Sequence, residues 1–125
     1  MTQPEYLITG GAGFIGSNIA EHLAHTGKTV RILDNFLTGK RDNLLTLEGK
    51  ADVVEGDLRN MDDCRRAVAG IRYVLHLAAL PSVPRSVAEP QLSHDINVTG
   101  TLNLLVAARD ATPSYPFCEI AFGNR

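Results

Sequence analysis

Two rhythms of apolar and polar positions alternate along this chain. Tyr6-Leu7-Ile8-Thr9 is a short apolar run that stops at Gly10. From Phe14 the period changes: Ile15, Ile19 and Leu23 recur every four residues with Ala20 and Ala24 beside them, the mark of one helix face. Gly27 is a natural stop for that helix. Thr29 to Leu33, Ala51 to Glu55 and Ile71 to Leu77 read as the second, third and fourth strands. Asn60 predicts the N-cap of a helix over about Met61 to Ala69, with Asp62 and Asp63 in its first turn, where the dipole favours acids, and Gly70 ends it. A loop with Pro81, Pro84 and Pro90 follows. A long helix is then predicted from about Gln91 to Ala111, carrying Ile96, Val98, Leu102, Leu105 and Ala108.

Short, almost wholly apolar strands that alternate with helices predict an α/β fold, a parallel sheet covered on both faces with right-handed crossovers. No internal repeat, low-complexity tract or linker interrupts it. Composition narrows the picture only a little. With 125 residues, 44% of them apolar, the chain suits one small globular domain and leaves no room for a second. A net charge of -2 gives no broad footprint for nucleic acid or an anionic membrane. No apolar stretch approaches the ~18 residues of a membrane span, and the N-terminus has no signal-peptide pattern. Cys64 and Cys118 make no disulfide framework and no metal-ligand spacing, so the expectation is a soluble, cytoplasmic protein with reduced thiols and no metal.

The glycine cluster carries the chemistry. Gly11, Gly13 and Gly16 fit G-x-G-x-x-G, and Gly10, Gly13 and Gly16 fit the wider G-x-x-G-x-x-G. One glycine makes the tight turn out of the strand, one lets backbone amides approach a pyrophosphate, and the last lets the helix pack closely. The pyrophosphate then sits on free N–H donors at the positive end of the helix, beside Phe14 and Ile15. A ligand-free glycine turn is the competing reading; the strand before and the amphipathic helix after favour the phosphate cradle. Asp34 ends the second strand, where a carboxylate accepts hydrogen bonds from adenosine ribose hydroxyls and repels a 2′-phosphate. No Arg or Lys follows it within Asn35-Phe36-Leu37, so NAD is preferred to NADP.

At this point the chain resembles a known family. Ile8-Thr9-Gly10-Gly11-Ala12-Gly13-Phe14-Ile15-Gly16-Ser17 resembles the opening of the extended short-chain dehydrogenase/reductases, the NAD-dependent epimerase/dehydratases with a Rossmann-type doubly wound sheet. Asp34-Asn35-Phe36 with Thr38-Gly39 resembles the adenosine-side loop. Gly56-Asp57-Leu58-Arg59 resembles the segment whose Asp57 and Leu58 would hold the adenine. His76-Leu77-Ala78-Ala79 resembles the turn under the cofactor, and Asn97-Val98-Thr99-Gly100-Thr101 the long-helix motif whose Asn97 would lie near the catalytic centre. The likeness runs from about Glu5 to Asp110.

Within the family, Ser82-Val83-Pro84-Arg85-Ser86 is similar to a loop of UDP-N-acetylglucosamine/UDP-glucose 4-epimerases, whereas sugar-nucleotide 4,6-dehydratases usually carry a His/Asp-containing loop there. The resemblance implies that Ser82, Val83 and Arg85 face a sugar or its diphosphate. Residue type alone equally suits a connecting loop with a solvated Arg85. The resemblance also implies transient oxidation: a Tyr takes a proton from the sugar 4-hydroxyl while hydride passes from C4 to NAD, and hydride returns to the other face. A Lys one helical turn on and the charge of NAD would lower the pKa of that Tyr from its free value of ~10. Full-length relatives are expected to pair through the long helix.

The catalytic pair itself is missing. Four residues after Tyr6, Tyr73 and Tyr115 stand Gly10, Leu77 and Glu119, none of them a lysine. No catalytic residue is therefore assigned. The resemblance fades after Asp110, and the expectation is a NAD-binding domain over 1–125 with an atypical tail over 111–125. That tail is read as out of frame or as the end of a fragment lacking a C-terminal substrate domain, with the sheet truncated after about its fifth strand. The alternative is a natural short protein whose fifth strand is Phe117–Phe122. Four readings compete: the NAD-binding part of a 4-epimerase, inert alone; a relative of the 4,6-dehydratases; a non-catalytic NAD-binding module; and a non-functional truncation that folds poorly.

Several patterns are decoys. Ser93-His94-Asp95 spells a triad, but consecutive helical residues point apart. His22 and His25 lack a third metal ligand. Asp62 and Asp63 are expected as helix-end charges, and Arg65-Arg66 as a solvated face.

Overall fold

The computed structural model describes residues 3–111 and the backbone of 119–122. Five parallel strands form one sheet: β1 (Tyr6–Thr9), β2 (Val30–Asp34), β3 (Ala51–Glu55), β4 (Tyr73–His76) and β5 (Glu119–Phe122). Their order is β3-β2-β1-β4-β5. The chain winds outward from β1 in one direction and then, from β4, in the other. That reversal lies between β1 and β4, and open α/β sheets bind ligands at such a switch point, outside the carboxyl ends of the strands.

The strands are apolar on both faces because both faces are covered. Leu7, Leu33 and Val74 face Cys64, Ala67 and Val68 of helix α2 (Met61–Val68) and Leu104, Ala107 and Ala108 of the last helix. Ile8, Val30 and Ile32 face Ala20 of α1 (Phe14–His25), with Leu44 and Leu47 from a 3₁₀ turn over Arg41–Leu47. Each fully buried Leu or Ile stabilises the fold by about 1.5–3 kcal/mol relative to exposure. Asn60 caps α2 as predicted: its side chain accepts from the Asp62 and Asp63 amides. Cys64 is a buried free thiol, pushed up to about 11 by burial and then by the Asp63 and Asp57 carboxylates. Cys118 lies outside the described residues, as does Phe117 of the expected fifth strand.

Two expectations need correction. The segment read as a Pro-rich loop contains a helix, α3 (Val83–Ala88), which Ser82 caps and in whose first turn Pro84 fits without a lost hydrogen bond. The long helix is not uniform. It runs as α4 (Pro90–His94), a widened π turn over Asp95–Thr99, and α5 (Gly100–Ala111). Asn97 sits within that π turn, a distortion frequent at functional sites. No helix among the described residues is long and apolar enough to cross a membrane.

Candidate functional site

A cleft of about 620 Å³ opens over the carboxyl ends of β1, β2, β3 and β4. Gly10, Gly13, Phe14, Ile15 and Gly16 form its floor. The chain leaves β1 at Gly10 with φ +72°, a conformation that L side chains rarely adopt, and enters α1 at Gly13, which caps the helix without a side chain. The first-turn amides of α1 thus meet the cleft with no side-chain acceptor over them. A Cβ on Gly16 would stand 2.4 Å from the Gly10 carbonyl oxygen, so only glycine lets the helix start this close to the turn.

Asp34 and Asp57 flank one half of the cleft. Asp34 is buried; its Oδ2 accepts from the Ala12 amide at 2.9 Å and its Oδ1 from the Phe36 amide at 2.8 Å. Asp57 lies well below the usual carboxylate range, chiefly because the Arg59 guanidinium hydrogen-bonds it, with further bonds from the Arg59 amide and Asn35 against an opposing burial effect. Arg59 Nη2 donates to Asp57 Oδ2 at 2.6 Å and Asn35 Nδ2 donates to the same oxygen at 3.1 Å. The backbone there is held too. Asp63 Oδ2 accepts from the Asp57 amide at 2.9 Å, and Asn103 Nδ2 donates to the Leu58 carbonyl at 2.9 Å. Asp63 is thus more than a helix-end charge.

The other half is lined by His76, Leu77, Ala78, Ala79, Leu80, Pro81 and Ile96. Parallel pairing sets Thr9 level with His76, and Thr9 Oγ1 lies 2.6 Å from His76 Nδ1. The Thr101 hydroxyl donates to the Asn97 carbonyl at 2.7 Å, so its oxygen accepts from His76 Nε2 at 3.0 Å. This order assigns the proton to Nε2 and makes Nδ1 the acceptor for the Thr9 hydroxyl. Thr9 Oγ1 in turn accepts from the Leu77 and Ala78 amides at 3.1 and 3.2 Å.

Most of the residues singled out as cofactor-facing therefore converge: Gly10, Gly13, Phe14, Ile15, Gly16, Asp34, Asn35, Asp57, Leu58, Leu77, Ala78 and Ala79 all line the cleft. Asn97 does not. It braces the cleft wall instead, accepting from the Leu80 amide at 2.8 Å and donating to the Leu80 carbonyl at 3.1 Å. Ser82, Val83 and Arg85 also stand outside the lining, just beyond Pro81. The Ser82 hydroxyl caps α3, Val83 is exposed and Arg85 Nε pairs with Glu89 at 2.9 Å. Ser93-His94-Asp95 makes no triad: His94 Nδ1 is 3.8 Å from Asp95, and Ser93 Oγ accepts from Asn97. His22 and His25 are exposed, and no metal-binding cluster exists among the described residues.

Residues 7–121 match the family model described as GDP-mannose 4,6 dehydratase. The chain belongs to this epimerase/dehydratase family. It is 41% identical over 110 residues to the UDP-glucose 4-epimerase of Streptomyces lividans, covering 86% of this chain and 32% of that protein. The UDP-glucose 4-epimerase of Thermus thermophilus, solved in complex with NAD, superposes with TM-score 0.78 at 42% identity, covering 86% of this chain and 34% of that one. The UDP-N-acetylglucosamine 4-epimerase of Methanobrevibacter ruminantium, solved with UDP-N-acetylmuramic acid, gives 0.78 at 32% identity, covering 95% and 43%. The chain spans about a third of the length of the Methanocaldococcus jannaschii, Streptomyces lividans and Oryza sativa relatives, and 80% of that of the Klebsiella pneumoniae UDP-glucose 4-epimerase.

Membership in the epimerase/dehydratase family confirms the Rossmann-type sheet. It also extends the likeness past Asp110, where the sequence motifs faded: the match reaches residue 121, and Glu119–Phe122 is laid parallel to β4. Thr9, Asp63, Thr101 and Asn103 were not singled out as site residues from sequence. Thr9 is signalled as the polar end of an apolar strand, Asp63 only as a first-turn helix acid and Thr101 only as the last residue of the long-helix motif, while Asn103 has no local signal.

Proposed function

We propose that this chain is the NAD-binding part of a nucleotide-sugar 4-epimerase, UDP-hexose or UDP-N-acetylhexosamine in class, working in the cytoplasm. The observation that carries the reading is the buried Asp34 carboxylate standing beside an uncapped helix N-terminus in one cleft. The donor set fits a dinucleotide. First-turn amides of α1 and its dipole meet the pyrophosphate, and Asp34 meets the adenosine ribose. Asn35, Asp57 and Leu58 frame the adenine. No Lys or Arg is among the described residues lining the cleft, so a 2′-phosphate finds no counter-charge there, which favours NAD over NADP.

When bound, NAD supplies the hydride acceptor and donor for C4 of the sugar. This chain's own residues bind and orient it: Leu77, Ala78, Ala79 and Asn97 shape the wall on the β4 side. Ser82, Val83 and Arg85 lie where the wall continues outward, toward the sugar diphosphate. The 125 residues hold no Tyr-x-x-x-Lys pair, so the proposal gives them cofactor binding and no turnover. Val98, Leu102 and Leu105 form an exposed apolar stripe, and two copies of the longer protein are proposed to pair across it.

Titration calorimetry tests the reading. NAD is expected to bind, NADP at least tenfold more weakly, and UDP-glucose with NAD to give no epimer. A folded chain that releases no heat with NAD overturns it.

A further inference from the structure

The polar residues behind the β4 half of the cleft form one connected set. The Leu77 and Ala78 amides bond to Thr9, Thr9 to His76, His76 to Thr101, and Thr101 to the Asn97 carbonyl, while the Asn97 side chain grips Leu80 at both its amide and its carbonyl. Four backbone groups of the wall over 77–80 are fixed this way. Thr101 lies outside the cleft lining, one helical turn after Asn97, at the start of α5. It is the hinge pin of the set, because its hydroxyl both accepts from the imidazole and donates into the π turn. Threonine and histidine each offer a donor and an acceptor, so the direction of every bond depends on its neighbours.

We propose that Thr101, acting through His76 and Thr9, is a positioning residue for the half of the cleft that takes the nicotinamide nucleoside. This rests on the NAD reading above. In that reading the pyrophosphate lies at the α1 terminus and the adenosine ribose at Asp34, so the second nucleoside extends over β4 and meets the wall over 77–80. Without the Thr101 hydroxyl, His76 Nε2 loses the α5 partner that stands 3.0 Å from it. The Thr9 hydroxyl then no longer has a defined partner at Nδ1, and the Ala78 amide shifts with it, while the Leu77 amide keeps the Thr9 main-chain carbonyl at 3.1 Å. The adenosine half is untouched, because Asp34, Asp57 and Leu58 are held by Ala12, Phe36, Asn35, Arg59 and Asn103.

Calorimetric titration of the full chain with NAD and with ADP separates the two halves, since ADP reaches only the glycine turn and the adenosine side. Thr101→Val removes the hydroxyl at constant shape, and Thr101→Ser keeps it. NAD affinity is expected to fall roughly tenfold in Thr101→Val, the effect of one unmade buried hydrogen bond. ADP affinity should stay within about twofold, and Thr101→Ser should bind NAD as the unsubstituted chain does. Should Thr101→Val not fold, Thr101→Ala carries the same comparison. If ADP and NAD weaken together, or neither weakens, the proposal is overturned while the NAD reading stands. If the unsubstituted chain binds neither nucleotide, the NAD reading itself fails and takes this one with it.

Discussion

Asp34 holds Ala12: the carboxylate at the end of β2 accepts a 2.9 Å hydrogen bond from an amide of the glycine turn. The group proposed to grip the adenosine ribose is therefore also a strut of the phosphate loop. Asp34→Asn keeps the shape but leaves one oxygen to serve two amides. The expected result is a loss of about 1–3 kcal/mol in urea unfolding. A narrowed preference for NAD over NADP in calorimetry should accompany it.

The Asp57 carboxyl is held low in the folded chain, first by the Arg59 guanidinium. Asp63 is lowered as well, first by the Asp57 amide and then by Arg66. A carboxylate with a depressed folded pKa contributes stability above its unfolded value, about 3.9, and that contribution is lost as pH falls below it. Unfolding midpoints should therefore begin to drop below about pH 5 and go on dropping below pH 3. Asp57→Asn should be less stable at pH 7 and should show a shallower drop, as measured by thermal melts across that window.

Gly16 packs against main chain. The added methyl of Gly16→Ala would meet the Gly10 oxygen at 2.4 Å and the Gly11 Cα at 2.9 Å. Backbone cannot rotate aside as a side chain can, so about 1–3 kcal/mol of stability should be lost on overpacking. NAD binding should fall below detection in the same titration, because α1 must move away from the turn.

Arg31 acts at a distance from the cleft. Its Nε pairs with Asp52 at 2.8 Å, while Nη1 donates to the Ala67 and Ala69 carbonyls at 2.8 and 3.0 Å at the end of α2. Arg31→Met keeps the stem but takes the guanidinium from the Ala67 carbonyl and leaves the Ala69 carbonyl to Gln3 Nε2 alone, and should cost about 2 kcal/mol in chemical denaturation. Asp52→Asn should cost less than half as much, because the helix end keeps its donor. Equal losses would mean that the ion pair, not the cap, matters.

Much of this arrangement is legible in the sequence where a residue's local role is also its tertiary role. Asn60, Gly10, Gly13 and Gly16 announce a cap, a turn and a close approach, and each does that here. Short apolar runs announce strands covered on two faces. The π turn at Asp95–Thr99 is not legible, because the apolar periodicity of Ile96, Leu102 and Leu105 persists through it; it is Asn97, bonding to a loop 17 residues earlier, that accompanies the widening. α3 is hidden in the sequence because Pro84, its single proline, reads as a breaker although it lies in the first turn. The Thr9–His76–Thr101 set depends on strand register and helix placement together, and spacing along a chain carries neither.

Gly10 has a wider reach than the phosphates it is proposed to serve. A Cβ there would stand 2.8 Å from the Ala78 nitrogen, so the exits of β1 and β4 touch main chain to main chain across the switch point. Most contacts in a protein can be renegotiated by a partner that repacks, and sequences drift accordingly. This one offers drift no path, because the partner is peptide and peptide does not mutate. Whatever else varies among descendants of this chain, a substitution at position 10 has no compensating change available to it at position 78.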